Sequence, residues 1–404
     1  VRRCEPNALV CDKCGRRYPV FENRLRCECG GLLHFEIKSI KNLTSQKPKI
    51  RGVWKYKNFI PIPKNAEIIS MGEGATPLIR LKRIGDMLKL KDLFIKLEGS
   101  NPTGSFKDRG MTVAVTAAKA MGARAVISAS TGNTAASMSA YARRAGLQAI
   151  VVVPKGKIAG GKVSQLALYG AAVLEVIGSF DNAMKKVLEL SERYRGFYLM
   201  NSINPWRIEG QKTVAFEIVE EIGVPDWIVV PVGNGGNIFS IWKGLNELRS
   251  AGIIENLPRI LAVQASGASP IANAFQTGKY ADISSPSTVA SAINIGRPVH
   301  WERAIKAIKE SSGQAVAVND DNILKSQLDL ARSEGIGVES ASAVTLAGLR
   351  RALEEEWIEK GERVVLIGTG NALKEADQIP NRFPLNILQS GEGLEIFRKL
   401  GGEM

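Results

Sequence analysis

Six short runs rich in Val and Ile, at residues 125–127, 149–153, 173–177, 227–232, 260–264 and 364–367, recur along the chain with amphipathic stretches between them. A strand with one face in water alternates apolar and polar side chains. These runs are nearly continuous instead, which is the pattern of buried parallel strands covered on both faces. Parallel neighbours need long crossovers, and the intervening segments supply them as helices. Residues 181–194 follow Ser179 as a candidate N-cap, and 208–222 read as a second amphipathic helix. The expectation is an α/β protein whose ligands sit at the carboxyl ends of strands. With 404 residues, 45% of them hydrophobic, the chain can bury more than one core. A Lys- and Pro-rich connector over 47–63, packed down by Trp54 and Tyr56, precedes the regular pattern, and a short terminal helix is expected over 394–400.

Several function classes are unlikely partners for this composition. No stretch approaches the ~18–20 apolar residues that span a bilayer. Arg2, Arg3 and Cys4 are not followed by an apolar run, so we expect no secretory signal and a cytoplasmic protein without membrane contact. The 54 basic and 40 acidic residues give a net charge of +14, but the Lys and Arg are scattered. That disfavours nucleic acid as a partner and favours small anionic metabolites. Only His34 and His300 are present, which argues against a His-dependent triad or a two-His metal site.

All five cysteines fall within the first 29 residues. Cys11 and Cys14 form one pair, and Cys27 and Cys29 a second with a single spacer. Two thiolate pairs on adjacent turns can hold a structural tetrahedral zinc, leaving no open coordination position. Reduced structural thiols fit the same spacing. Cys4 reads as a spare thiol.

Five polar segments carry candidate chemistry. In the first, residues 101–110, a Pro/Gly turn delivers Lys107 to the start of a helix. The positive end of a helix disfavours an ammonium and so lowers the pKa of an amine that must attack a carbonyl. A solvated surface lysine fits this segment equally well. The second, from Ser130 to Thr134, lies between a strand and a helix and suits a carboxylate or phosphate, although Thr131 or Asn133 could simply cap that helix. The third, Gly233, Asn234, Gly235, Gly236 and Asn237, lets backbone N–H groups converge on a phosphate. It is not the dinucleotide fingerprint. Nor does residue stretch 156–163 make an ATP loop, since Val163 stands where magnesium needs a hydroxyl. The fourth, around Thr369 at the end of a strand, leaves room for a ring and offers one hydroxyl. The fifth, with Asn201, Ser202 and Arg207, could clamp a substrate phosphate or be a polar surface loop.

In this order, the segments resemble the tryptophan-synthase-β-like (fold type II) pyridoxal phosphate enzymes, and within them the threonine synthases. The likeness runs from residue 71 to about 376. It rests on 71–78, 98–110, 130–137, 157–162, 201–213 and 292–298, with the Cys-bearing start also similar to prokaryotic members. The resemblance implies two doubly wound α/β domains behind the Cys-rich segment 1–45. The large cofactor-binding domain would comprise 46–110 and 205–404, and the small domain 111–204. It implies that Lys107 holds pyridoxal 5'-phosphate covalently and then shuttles protons. Phe106 would cover one ring face, Asn133 would bond the phenolic oxygen, Gly233 to Asn237 would cradle the phosphate, and Thr369 would meet the pyridine nitrogen. Thr131 and Thr134 would hold the substrate carboxylate end, and Asn201, Ser202 and Arg207 its phosphate. The implied reaction makes threonine from O-phospho-L-homoserine, in a homodimer. Sister activities are a cysteate synthase using phosphoserine and the threonine or serine dehydratases, which have no phosphate to grip. Two segments depart from the family: Gly235 stands where Ala is common, and the run 370–374 after Thr369 stands where the family usually has a His and a Gly.

Overall fold

The computed structural model of the chain describes residues 6–37, 51–63, 65–130, 132–156 and 164–384. Cys4, Thr131, segment 157–162 and the helix expected over 394–400 lie outside the described residues.

Three sheets organise the chain. The first is antiparallel, in the order β2-β1-β3, with β1 (Pro6–Cys11), β2 (Arg17–Tyr18) and β3 (Leu33–Ile37). The second has six strands: β4 (Leu78–Arg80), β5 (Leu93–Leu97), β10 (Trp227–Pro231), β11 (Arg259–Ala265), β12 (Gln314–Val318) and β13 (Val364–Gly368). Their order is β12-β11-β10-β13-β5-β4, parallel except for the antiparallel edge strand β4. The third sheet is parallel, in the order β8-β7-β6-β9, built from β6 (Ala125–Ala129), β7 (Gln148–Pro154), β8 (Ala172–Val176) and β9 (Phe197–Leu199).

The continuous apolar runs have a direct physical reason. Trp227, Val229 and Leu366 point into one core, while their neighbours Ile228, Val230, Val365 and Ile367 point into another on the opposite face. Period-two geometry therefore makes every position of a central strand apolar. The run at 173–177 is the exception. A buried strand is expected there, yet β8 is exposed along most of its length; among the described residues it forms the sheet edge and pairs only with β7.

The helix over 181–194 is Phe180–Arg193, and Asn182 Oδ1 accepts from both the Ser179 amide and the Ser179 hydroxyl at its start. The helix expected over 208–222 begins earlier and divides into Pro205–Gln211 and Thr213–Ile222. Asn204 explains the earlier start, since its side chain accepts from the Trp206 amide and Pro205 presets the first turn.

Two glycines bring that helix against Lys107–Ala120. A Cβ on Gly210 would stand 1.7 Å from the Arg109 carbonyl oxygen, and one on Gly110 would stand 2.8 Å from the Arg207 carbonyl oxygen. Only bare Cα atoms permit this crossing. It places residue 107 and residue 207 on the same cleft. The connector is described from residue 51 and forms a 3₁₀ segment, Gly52–Phe59. Trp54 in it is buried and donates to Thr112 Oγ1 at 2.8 Å, and buried Tyr56 donates to Glu220 at 2.6 Å. Among the described residues no helix is long and apolar enough to cross a membrane.

Candidate active site

A cleft of about 1730 Å³ opens at the carboxyl ends of the two parallel sheets. Phe106, Lys107, Asn133, Thr134, Asn201, Ser202, Arg207, the 233–237 turn and Thr369 all line it. Segments far apart in sequence thus meet in one place, and of the cofactor and substrate residues expected above only Thr131 lies outside the described residues.

Lys107 is the first residue of the helix Lys107–Ala120. Its approach is fixed from both sides. The Phe106 amide donates to the Thr369 carbonyl at 2.9 Å, and Asn371 donates to Gly104, whose φ of +83° suits glycine. Asp108 accepts from the Thr103 amide, the Thr103 hydroxyl and the Ser137 hydroxyl, tying the turn to the neighbouring helix. The Lys107 amine stands over the Phe106 ring, 3.9 Å from its centroid. Burial pulls its pKa down to about 7, with the Arg207 guanidinium adding to the effect and Glu339 opposing it. A neutral amine is the nucleophilic form, so its fraction rises with pH through about 7. The rate at which Lys107 captures an aldehyde, read by borohydride trapping and peptide mapping, is expected to climb about tenfold per pH unit below that point and level off above it. A rate still rising steeply at pH 9 would contradict this.

Arg207 is 3% exposed. It donates to the Met200 carbonyl at 3.0 Å and to the Thr134 hydroxyl at 3.5 Å, while among the described residues its Nε has no partner. Burial lowers its pKa to about 10, with no carboxylate offsetting the loss of water. A buried guanidinium without a counter-charge is costly unless an anion joins it. Ser202 lies on the same wall. Asn201 lines the cleft beside them. Its amide donates to the Ala129 carbonyl and accepts from the Ala129 amide, both at 3.1 Å, so it holds the end of β6.

The 233–237 turn follows β10 and opens the helix Gly236–Ser250. Gly235 has φ +80°, and a Cβ there would meet the His300 carbonyl oxygen at 2.8 Å. Asn237 has a buried amide nitrogen without a partner. Free N–H groups, a helix N-terminus and an unsatisfied donor suit a phosphate. The opposite wall carries Thr369, whose hydroxyl meets Ser342 Oγ at 2.9 Å and donates to Glu339 at 3.2 Å. Asn133 donates to the other Glu339 oxygen at 2.9 Å. A phosphorylated aromatic aldehyde therefore fits the donor set: an amine for the aldehyde, a nest for the phosphate, and hydroxyl and amide groups for the ring heteroatoms.

Glu339 and His300 are the residues that sequence reasoning missed. Glu339 is buried and its pKa is raised, first by burial and also by the Glu375 charge. Nothing around it in the sequence forms a motif. His300 is 1% exposed, and burial followed by the Arg303 charge depresses its pKa to about 3, so the ring is neutral. Its rarity in the composition was the available signal.

In the N-terminal sheet region the sulfur atoms of Cys11, Cys14, Cys27 and Cys29 all lie within 4.8 Å of one another. Cys11–Cys29 and Cys14–Cys27 each approach to 3.5 Å. Thiolates at ~2.3 Å from a tetrahedral zinc would stand about 3.8 Å apart, so the donor set fits that ion. The single spacer is accommodated because Gly30 takes φ +80° and a Cβ on Gly31 would strike Cys11 Sγ at 2.5 Å. Tyr18 approaches Cys27 Sγ at 3.0 Å, and this hydrogen bond lowers the thiol to about 6.

Residues 69–370 match the family model described as pyridoxal-phosphate dependent enzyme. A threonine synthase of Methanocaldococcus jannaschii is 48% identical over 378 residues, covering 91% of this chain and 93% of that protein. One from Methanosarcina acetivorans is 45% identical, covering 92% and 93% respectively. Among solved structures, the processed form of threonine deaminase isoform 2 from Solanum lycopersicum superposes with a TM-score of 0.63 at 23% identity, over 76% of this chain and 83% of that one. That likeness concerns the fold, the doubly wound type II architecture.

Proposed function

The chain belongs to the pyridoxal-phosphate dependent enzymes, among the threonine synthases, and from that premise we propose that it converts O-phospho-L-homoserine and water into L-threonine and phosphate. The single observation that carries the substrate assignment is Arg207, a buried guanidinium that lines the cleft with Lys107 and whose Nε has no partner among the described residues. A dehydratase substrate would bring one anion, its carboxylate, to Thr134 and Arg207, whereas phosphohomoserine brings two.

Lys107 and the 233–237 turn would hold the cofactor at its two ends, with Phe106, Asn133 and Thr369 around the ring. When bound, the cofactor supplies an electron sink for carbanion chemistry at the substrate. The protein's own groups do the rest. Thr134, together with Thr131, would bind the carboxylate, where the backbone N–H groups and positive dipole end of the helix that begins at Asn133 converge. Arg207 and Ser202 would bind the phosphate, and Asn201 would keep β6 in register with them. Held at both ends, the substrate presents its Cα and Cβ protons to one base. Lys107 Nζ, neutral near pH 7, would take the Cα proton, release it, and then take the Cβ proton as the γ-phosphate departs with the electron pair of its C–O bond; a proton delivered to Cγ makes the methyl group, water adds its hydroxyl at Cβ, and a proton returns to Cα, so that phosphohomoserine and water give threonine and phosphate. Thr369 offers a hydroxyl rather than a carboxylate, so proton placement by Lys107 carries more of the rate.

Purified protein offered phosphohomoserine is expected to release phosphate and form threonine in equal amounts, with phosphoserine turned over at least about 100-fold more slowly. Phosphate release from phosphoserine alone would overturn the substrate assignment.

We assign residues 46–110 and 205–404 to a cofactor-binding unit and 111–204 to a smaller unit that supplies the carboxylate loop. A cytoplasmic homodimer with no nucleic-acid partner is the setting that the scattered basic residues and the family support. We also assign a structural zinc to Cys11, Cys14, Cys27 and Cys29. Elemental analysis is expected to find about one zinc per chain, lost in Cys27→Ser together with roughly 2–5 kcal/mol of stability. Protein free of metal and equally stable in that variant would remove the assignment.

A further inference from the structure

We propose that His300 is a positioning residue that joins the cofactor-phosphate turn to the substrate-phosphate wall, and that the cysteine ribbon holds it there through Asp12 and Arg303. The proposal rests on the functional reading above.

His300 touches both anion sites at once. Its amide donates to the Asn234 carbonyl at 2.9 Å, and its backbone lies so close to Gly235 that a Cβ there could not fit. Its ring Nε2 lies 2.8 Å from the Ser202 carbonyl oxygen. That carbonyl can only accept, so Nε2 carries the proton and Nδ1 is left as an acceptor. Arg303 NH1 stands 3.4 Å from Nδ1 and satisfies it.

Arg303 is in turn anchored from the ribbon. Its Nε donates to Asp12 and its NH2 donates to the Leu33 carbonyl at 2.9 Å. Asp12 lies between Cys11 and Cys14, and its other oxygen meets His34 Nδ1 at 2.7 Å. The guanidinium also sits 4.5 Å over the ring of Phe239, which belongs to the helix opened by the phosphate turn. A buried imidazole with both nitrogens engaged has one orientation, and that orientation fixes the distance between the Asn234 and Ser202 backbones. The ribbon thereby does more than cap the fold: a shift of the Cys11–Cys14 knuckle reaches both phosphate sites through three side chains.

The test uses the full-length holoprotein and variants H300A, H300Q and D12N. Affinity for pyridoxal phosphate is read from the visible band, KM and kcat from threonine formation, and folding from thermal melts. Losing the bond to Ser202 in H300A is expected to weaken cofactor affinity and raise KM for phosphohomoserine each by about tenfold, with kcat changed less than about threefold. Gln can donate from its amide to the same carbonyl, so H300Q should return both to within about threefold. D12N should loosen both by about threefold while melting as a folded protein. If H300A binds cofactor and substrate like the unsubstituted protein, or if H300Q is as impaired as H300A, the positioning role is wrong. If D12N leaves both affinities unchanged, the ribbon has no part in it. An unsubstituted protein with no visible band would strike the cofactor assignment itself, a result distinct from all of these.

Discussion

Replacing Lys107 by Ala is expected to lower threonine formation by about 10⁴-fold, because one amine serves both as the cofactor's covalent anchor and as the proton carrier at Cα and Cβ. The fold should not suffer with it. Lys107 is half-buried on the cleft wall, and loss of water around its amine is the leading cause of its depressed pKa of about 7, so the native state resists protonating it. Between that value and the ordinary lysine range near ~10.5, the unfolded chain binds a proton that the folded chain does not, and stability rises with pH across the window. Below about 7 both states are charged and the full cost of burying the ammonium is present. A Lys107→Met variant, which keeps the volume and removes the charge, should therefore unfold at higher denaturant concentration than the natural protein, with the gap widest at pH 6 and smallest near pH 10. Urea titrations at the two pH values decide the matter, and a variant less stable at both would show that Lys107 is favourably solvated.

The second large effect is one of stability. Arg109 Nε and NH2 donate to Glu98 at 2.6 and 2.8 Å, and its NH1 and NH2 donate to Glu217, both at 2.7 Å. Arg109 and both carboxylates are buried. Burial alone would raise the Glu217 pKa, yet the Arg109 guanidinium overrides it and holds the group at about 2. Arg109→Met would leave Glu98 without its guanidinium partner and Glu217 with only the Lys96 ammonium 3.1 Å away, at a cost of roughly 3–5 kcal/mol. That is a large share of the ~5–15 kcal/mol by which domains are stable. The pH dependence gives the mechanism a signature. With Arg109 gone, only Lys96 still opposes burial at Glu217, so its folded-state pKa rises and protonation favours folding relative to the natural protein. The difference from the natural protein should shrink as pH falls from 7 to 5. A difference constant over that range would mean that lost packing, not unpaired charge, is responsible.

The legible parts of the sequence were those where one physical requirement dominates. At 227–231 and 364–368 both faces of a central strand are buried, so the runs announce themselves. Lys107 was visible because a Pro/Gly turn followed by a helix start presents it. By contrast, β9 is three residues long and β12 is largely Ala and Val in a short stretch, too little pattern to separate from a helix. The edge exposure of β8 is a property of the sheet order, which local sequence does not carry. Glu339 reaches the site by a fold that brings residues 133, 339 and 369 together, and no spacing rule connects them. The isolation of Arg207 is likewise a fact about what does not surround it in space. The hold of Asn201 on β6 is also invisible locally, because the backbone it bonds lies 72 positions away.

The most direct measurement is borohydride reduction of the purified yellow protein followed by peptide mapping. The visible band should vanish on reduction, and the phosphopyridoxyl mass should appear on the peptide containing Lys107 and on no other. A label at another lysine, or protein that carries no band and takes no label after incubation with pyridoxal phosphate, would contradict the account.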